Sequence, residues 1–130
     1  MPSRDQGRIK IAPMFIEEWT GRLQPLSPDA AGCYVRLYLA YLRNQGPLEN
    51  QRTRIARVAG CSGKKFDAVM REITDFGLME IRGHLLYDEQ AEHVLAKFRA
   101  RQRAGRAAAD TRWRRIEGAA ATTIEGDADA

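Results

Sequence analysis

The chain has 130 residues, 44% hydrophobic and 29% charged, proportions of an ordinary globular domain that exclude wholesale disorder and collagen-like structure. No apolar run approaches the roughly 18 residues of a membrane span, the polar start Met1–Lys10 holds no signal-peptide core, and Cys33 and Cys61 lie far apart with no CxxC partner. These features predict a cytoplasmic protein with no disulfide framework and no membrane attachment. Net charge is +4 with a pI near 9.4, and its distribution is uneven. Residues 1–96 hold 13 Lys and Arg against 12 Asp and Glu, residues 97–117 hold eight against two, and residues 118–130 carry three acids and no base. A near-neutral body, a basic segment and an acidic tip point to a polyanionic partner, nucleic acid first.

Residues 1–12 read as an N-terminal arm, with Ile9 and Ile11 flanking Lys10 as a short edge strand ended by Pro13. Phe15 and Trp19, four positions apart, predict a brief helical turn that lays both rings over the core. The first long helix opens at Ser27-Pro28-Asp29: a good N-cap, a proline suited to the first helical position, and an acid at the positive helix end. Tyr34, Leu37, Tyr38, Tyr41 and Leu42 follow at helical spacing, and Gly46-Pro47 stops the helix. The tyrosines read as core residues whose hydroxyls reach the rim, in preference to a base-stacking platform.

Two short helices come next. One covers Gln51–Ala59, with Ile55, Val58 and Ala59 on its buried side. The other follows the turn Gly60-Cys61-Ser62-Gly63 and carries Phe66, Val69, Met70, Ile73 and Phe76 as an apolar stripe up to Gly77. Two helices joined by a short glycine-containing turn are the helix-turn-helix signature. Beyond Gly77 the period falls to two: Met79 and Ile81 alternate with Glu80 and Arg82, and Arg82-Gly83-His84 turns the chain into Leu85-Leu86-Tyr87, a tight β-hairpin. Asp88 caps a last helix with Ala91, Val94, Leu95 and Phe98 on its core stripe.

The fold class expected is therefore mainly α with a small β-hairpin, a winged helix-turn-helix over residues 13–98 whose core includes Ile81 and Leu95. An Arg-rich helical extension over 99–117 and a disordered acidic tail over 118–130 complete the chain. From Arg99 to Arg115 apolar periodicity is lost, although arginine and alanine remain strong helix formers.

No enzyme constellation appears. There is no GxxxxGK[ST] loop, no GxGxxG turn and no paired carboxylates, and His84, His93 and Cys61 do not space as metal ligands. No catalytic residue, cofactor, metal or small-molecule substrate is expected. In a helix-turn-helix the second helix faces the major groove and the first crosses the backbone. That arrangement assigns Lys64, Lys65 and Arg71 to the duplex and Arg52, Arg54 and Arg57 to phosphates, although Asp67, Glu72 and Asp75 interrupt the basic helix. In the extension, Arg99, Arg101, Arg103, Arg106, Arg112, Arg114 and Arg115 surround the helix instead of forming a stripe. Phosphate neutralisation suits that layout better than base reading does, and Trp113 offers a stacking ring.

The run Leu26-Ser27-Pro28-Asp29-Ala30-Ala31-Gly32-Cys33-Tyr34-Val35-Arg36-Leu37 resembles the Leu-Ser-x-x-x-x-Gly-x-Tyr-x-x-Leu signature of the YdaU-like family, a domain of unknown function from phage and prophage replication regions. Gly46-Pro47-Leu48, Ile55-Ala56-Arg57-Val58-Ala59-Gly60, Arg103-Ala104-Gly105-Arg106 and Thr111-Arg112-Trp113 match in order, so the resemblance spans about residues 13–115. Leu42 and Phe66 stand where the family often has Trp. The resemblance implies a winged-helix replication protein, an origin binder or an adaptor for a helicase or helicase loader, and supplies no catalytic residue. The function expected is a non-enzymatic, DNA-associated protein acting in replication initiation or its organisation. The alternative is a protein–protein adaptor or transcriptional regulator that uses the winged helix to dock a replication or transcription component.

Overall fold

A computed structural model describes residues 9–129, with side chains as far as residue 119. The chain divides into two compact units, Met1–Ala96 and Lys97–Ala130. The elements are α1 (Ile16–Leu23), α2 (Pro28–Asn44), β1 (Leu48–Glu49), α3 (Arg52–Ala59), α4 (Gly63–Asp75), β2 (Glu80–Arg82), β3 (Leu85–Tyr87) and α5 (Glu89–Asp129). The fold is mainly helical with one small antiparallel sheet, ordered β1-β3-β2.

The first unit is built around α2. Its start is fixed as the sequence predicts: the Ser27 hydroxyl accepts from the Ala30 N–H at 3.2 Å, and Pro28 occupies the first turn. One stripe of α2 is fully buried through Ala30, Tyr34, Leu37, Tyr38 and Tyr41. Trp19 from α1 packs edge-on against Tyr38, with ring centroids 4.6 Å apart and planes at 79°. Ile55 and Ala59 from α3, Phe66, Val69 and Ile73 from α4, Met79, Leu86, Ala91 and Leu95 complete the core. The Gly77–Asp88 segment is extended, not helical, and pairs Glu80 with Tyr87, Ile81 with Leu86 and Arg82 with Leu85.

The third strand has no sequence precursor. β1 is two residues long, too short for a period, and is held by pairing Leu48 with Leu86 and Glu49 with Leu85. It makes β3 the central strand. That placement corrects the expected core: Leu86, in the centre, is fully buried, whereas its partner Ile81 on the edge strand β2 is 50% exposed. Val58 is 37% exposed, because two-turn α3 buries only the i, i+4 pair Ile55 and Ala59 and leaves Val58 on its flank. Met70 is half-buried against the core and Phe76, at the end of α4, is exposed.

Further differences lie at element ends. Residues 9–15 form no strand, and Ile11 stands almost fully exposed with no neighbouring strand to pair it. Phe15 is the N-cap of α1 and is exposed, so Trp19 alone reaches the core. α3 starts at Arg52 behind Gln51, whose side chain makes no cap bond. At the end of α2 the left-handed position is taken by Gln45 (φ 58°, ψ 34°) and not by Gly46. There the Gln45 N–H reaches Leu42 O and the Gly46 N–H reaches Tyr41 O.

Asp88 opens α5 by accepting the Ala91 N–H at 3.0 Å. In the second unit the extension 99–117 is helical, and Trp113 and Ile116 are exposed. The backbone of α5 takes in residues 118–129, where composition predicts an unpatterned tail; the side chains of 120–130 and all of residues 1–8 lie outside the described residues.

Candidate nucleic-acid interface

The orientation of α4 is set at its distance from α2. Glu72 accepts the Ser27 backbone N–H at 2.9 Å and the Ser27 hydroxyl at 2.7 Å, so both carboxylate oxygens are taken by the first residue before α2. With Phe66, Val69 and Ile73 inward and Glu72 clasped, the outward face of α4 carries Lys64, Asp67, Ala68 and Arg71. Glu72 therefore does not oppose phosphate, as its place in the sequence suggests. Asp67 is neutralised by Arg52 at 2.9 Å, leaving Asp75 as the exposed acid near the end of the helix.

The turn before α4 is shaped by two left-handed glycines, Gly60 (φ 83°) and Gly63 (φ 63°). Gly60 also admits Arg36: a Cβ there would stand 2.4 Å from Arg36 Nη1. The guanidinium lies across the negative end of α3, where a cation is favoured. Between α3 and the turn runs an open groove of about 510 Å³, lined by Arg52, Ala56, Arg57, Cys61, Ser62 and Phe66 among others.

The six cations assigned to this region divide evenly. Arg52 is held by Asp67, donates to Gly63 O at 3.2 Å and stacks over the Phe66 ring; Arg54 pairs with Glu49 at 3.1 Å; Lys65 pairs with Asp29 at 3.4 Å. Lys65 sits one position from Lys64, about 100° around the helix, and so turns to the start of α2 instead of sharing the outward face. Arg57, Lys64 and Arg71 are exposed and form no ion pair among the described residues. The side chains of these three pairs are all at least half exposed, which makes each worth at most about 1 kcal/mol and open to exchange.

In the second unit Arg101, Arg103, Arg106, Arg112, Arg114 and Arg115 are exposed and Arg99 is half-buried. At 100° per residue they spread over most of the helix circumference, and a sector of about 120° between Arg112 and Arg106 carries Gln102, Ala109, Trp113 and Ile116 in place of arginine. Trp113, between Arg112 and Arg114, presents an exposed ring.

The three tyrosines of α2 are buried and cannot stack on bases. Tyr34 donates to Asp88 Oδ2 at 2.8 Å and receives Arg22 Nη2, while Tyr41 donates to Glu92 Oε1. Burial pushes the Tyr38 phenol up to about 12 and raises those of Tyr34 and Tyr41 as well. Asp88 is fully buried, and desolvation holds its carboxyl above the ordinary 3.8, against the opposing pull of the Ala91 N–H, the Tyr34 hydroxyl and Arg22. Its helix-cap role is readable from the sequence; its place under Tyr34, 54 positions away, is not.

The cysteines also meet. Cys33 Sγ and Cys61 Sγ are 3.5 Å apart, although nothing in their spacing pairs them. The one available signal is that Cys33 belongs to the buried side of α2 next to Tyr34. Among the described residues no three His, Cys, Asp or Glu side chains gather as metal ligands, and no helix is long and apolar enough to cross a membrane. No protein-family model, curated protein or solved structure matches the chain.

Proposed function

We propose that this chain is a non-enzymatic, DNA-associated protein in which a winged helix-turn-helix positions a basic helix on duplex DNA. The observation that carries the reading is the charge segregation: six arginines of the second unit stand exposed along one helix, while the body is close to neutral. The winged-helix reading rests on the succession α2, β1, α3, α4, β2, β3 and on the β1-β3-β2 sheet, with Gly83-His84 as the tip of the wing. In it α4 approaches the major groove with Lys64 and Arg71, Arg57 contacts the backbone, and Arg52, Arg54 and Lys65 join by exchanging their carboxylates for phosphate. The resemblance of the Leu26–Leu37 run to the YdaU-like signature supports a role in phage or prophage replication initiation, with a helicase or helicase loader as the protein partner and the cytoplasm as its site.

Titration against duplex DNA at several salt concentrations tests the proposal. Each phosphate neutralised contributes about −0.9 to the slope of log affinity against log salt, so replacing Arg101, Arg103, Arg106 and Arg114 by Gln flattens the slope by roughly 3–4. The loss is alike on all sequences, since phosphate contacts carry no base information. Undiminished affinity and slope overturn the proposal and favour an adaptor that docks protein. That second reading draws on the three body cations already engaged by Asp67, Glu49 and Asp29.

A further inference from the structure

Cys33 and Cys61 have no part in the DNA reading, yet the fold brings their two thiols together from separate elements. Cys33 stands in the second turn of α2 and is 7% exposed; Cys61 lies in the α3–α4 turn and is half-buried, with its surface on the 510 Å³ groove. Their sulfurs are 3.5 Å apart and both are free thiols. We propose that the two form a peroxide-responsive dithiol that closes to an intramolecular disulfide, stapling α2 to the α3–α4 turn.

Access assigns the order of events. Peroxide entering the groove meets Cys61 first. The Cys61 thiolate attacks one peroxide oxygen, the O–O bond breaks, and sulfenic acid forms as hydroxide leaves and is protonated to water. Cys33, already in contact, attacks the sulfenic sulfur, the S–O bond breaks and a second water departs. Two thiols are oxidised by two electrons and one peroxide is reduced to two waters. Burial and the contact with Cys61 push the Cys33 thiol up to about 11, consistent with its acting second and only on a sulfur held against it.

Geometry permits the closure. A disulfide needs about 2.0 Å between sulfurs, so the pair must approach by about 1.5 Å. Cys33 is fixed in a long helix. Cys61 sits between α3 and α4 in a turn flanked by Gly60 and Gly63, both at positive φ, and such a turn adjusts without unwinding either helix. The staple would restrict the unfolded chain by closing the loop between positions 33 and 61. In a reducing interior thiol exchange with glutathione reopens it, so the bond reports oxidant exposure and is not a permanent brace.

The test uses the full chain treated with substoichiometric to modest hydrogen peroxide, followed by alkylation, intact mass and a non-reducing gel. The expected product is a monomer lighter by two hydrogens, with both thiols lost together, a Tm raised by several degrees and full reversal by dithiothreitol. In Cys33→Ser, Cys61 stops at a sulfenic acid that dimedone traps; in Cys61→Ser, Cys33 stays a thiol at the same dose. Overoxidation of Cys61 with Cys33 still alkylatable, or disulfide-linked dimers in place of the monomer, overturns the proposal. The wild-type product decides the matter even if a serine variant is unstable, and none of these readouts depends on DNA.

Discussion

Asp88 joins three structural tasks in one carboxylate: it caps α5 through the Ala91 N–H, accepts the Tyr34 hydroxyl and lies 3.7 Å from Arg22. Asp88→Ala leaves all three partners without their carboxylate at a fully buried position. It should cost about 3 kcal/mol in urea unfolding, the sum expected for a lost cap and a charged hydrogen bond. The pH dependence has a definite sign. Because burial raises this carboxyl above 3.8, the folded protein holds the proton more tightly than the unfolded chain does. The contribution to stability is therefore full below about pH 4 and declines as pH rises through the folded value. Asp88→Asn keeps an acceptor for Ala91 and removes the titration. The difference in unfolding free energy between wild type and Asp88→Asn should accordingly shift in favour of the variant between about pH 4 and 7; a flat difference would show that the carboxyl is not raised.

At the scale of elements, helices α2 and α4 could be read closely from the sequence because each carries an apolar stripe at helical spacing, although α4, unlike α2, has no side-chain cap at its start. Strand β1 could not, since two residues held only by pairing to β3 leave no local trace. The same long-range cause misplaced Ile81: period two puts it on the core face, but only the sheet order reveals that β2 is the edge. This gives a contrast to measure. Leu86→Ala should cost about 2–5 kcal/mol by emptying a fully buried site, whereas Ile81→Thr should stay within about 0.5 kcal/mol. Comparable losses at both would mean that the edge and centre are assigned wrongly. The end of α2 offers the opposite sign. Gln45 adopts a left-handed conformation that costs an L-residue about 1–2 kcal/mol, and Gln45→Gly should raise stability by about 0.5–1 kcal/mol in thermal unfolding. The sequence misleads here because Gly46 looks like the stop signal, while the helix ends one residue sooner.

For the whole molecule, every residue of the hydrophobic core, from Trp19 to Leu95, belongs to the unit Met1–Ala96. Deleting residues 100–130 should leave Tm within a few degrees, since exposed positions contribute little. A fall of ten degrees or more would assign the second unit a part in folding. The division of the candidate site was only half readable: composition separates the basic segment from the neutral body, but pairing partners depend on the fold, and Asp29, Glu49 and Asp67 come from three different elements. Those partners have a bearing on how the body would meet a polyanion. Asp67 beside Arg52, Glu49 beside Arg54 and Asp29 beside Lys65 act as tethered counterions. Each displaced carboxylate stays nearby, repels the phosphate that replaced it and holds back the cation that neutralising that phosphate would otherwise release. Counting basic residues on the body would thus overstate its salt dependence by up to three phosphates. Weak contacts of this surface with arbitrary polyanions would be suppressed, leaving it to engage only where the fit is good enough to turn those acids aside.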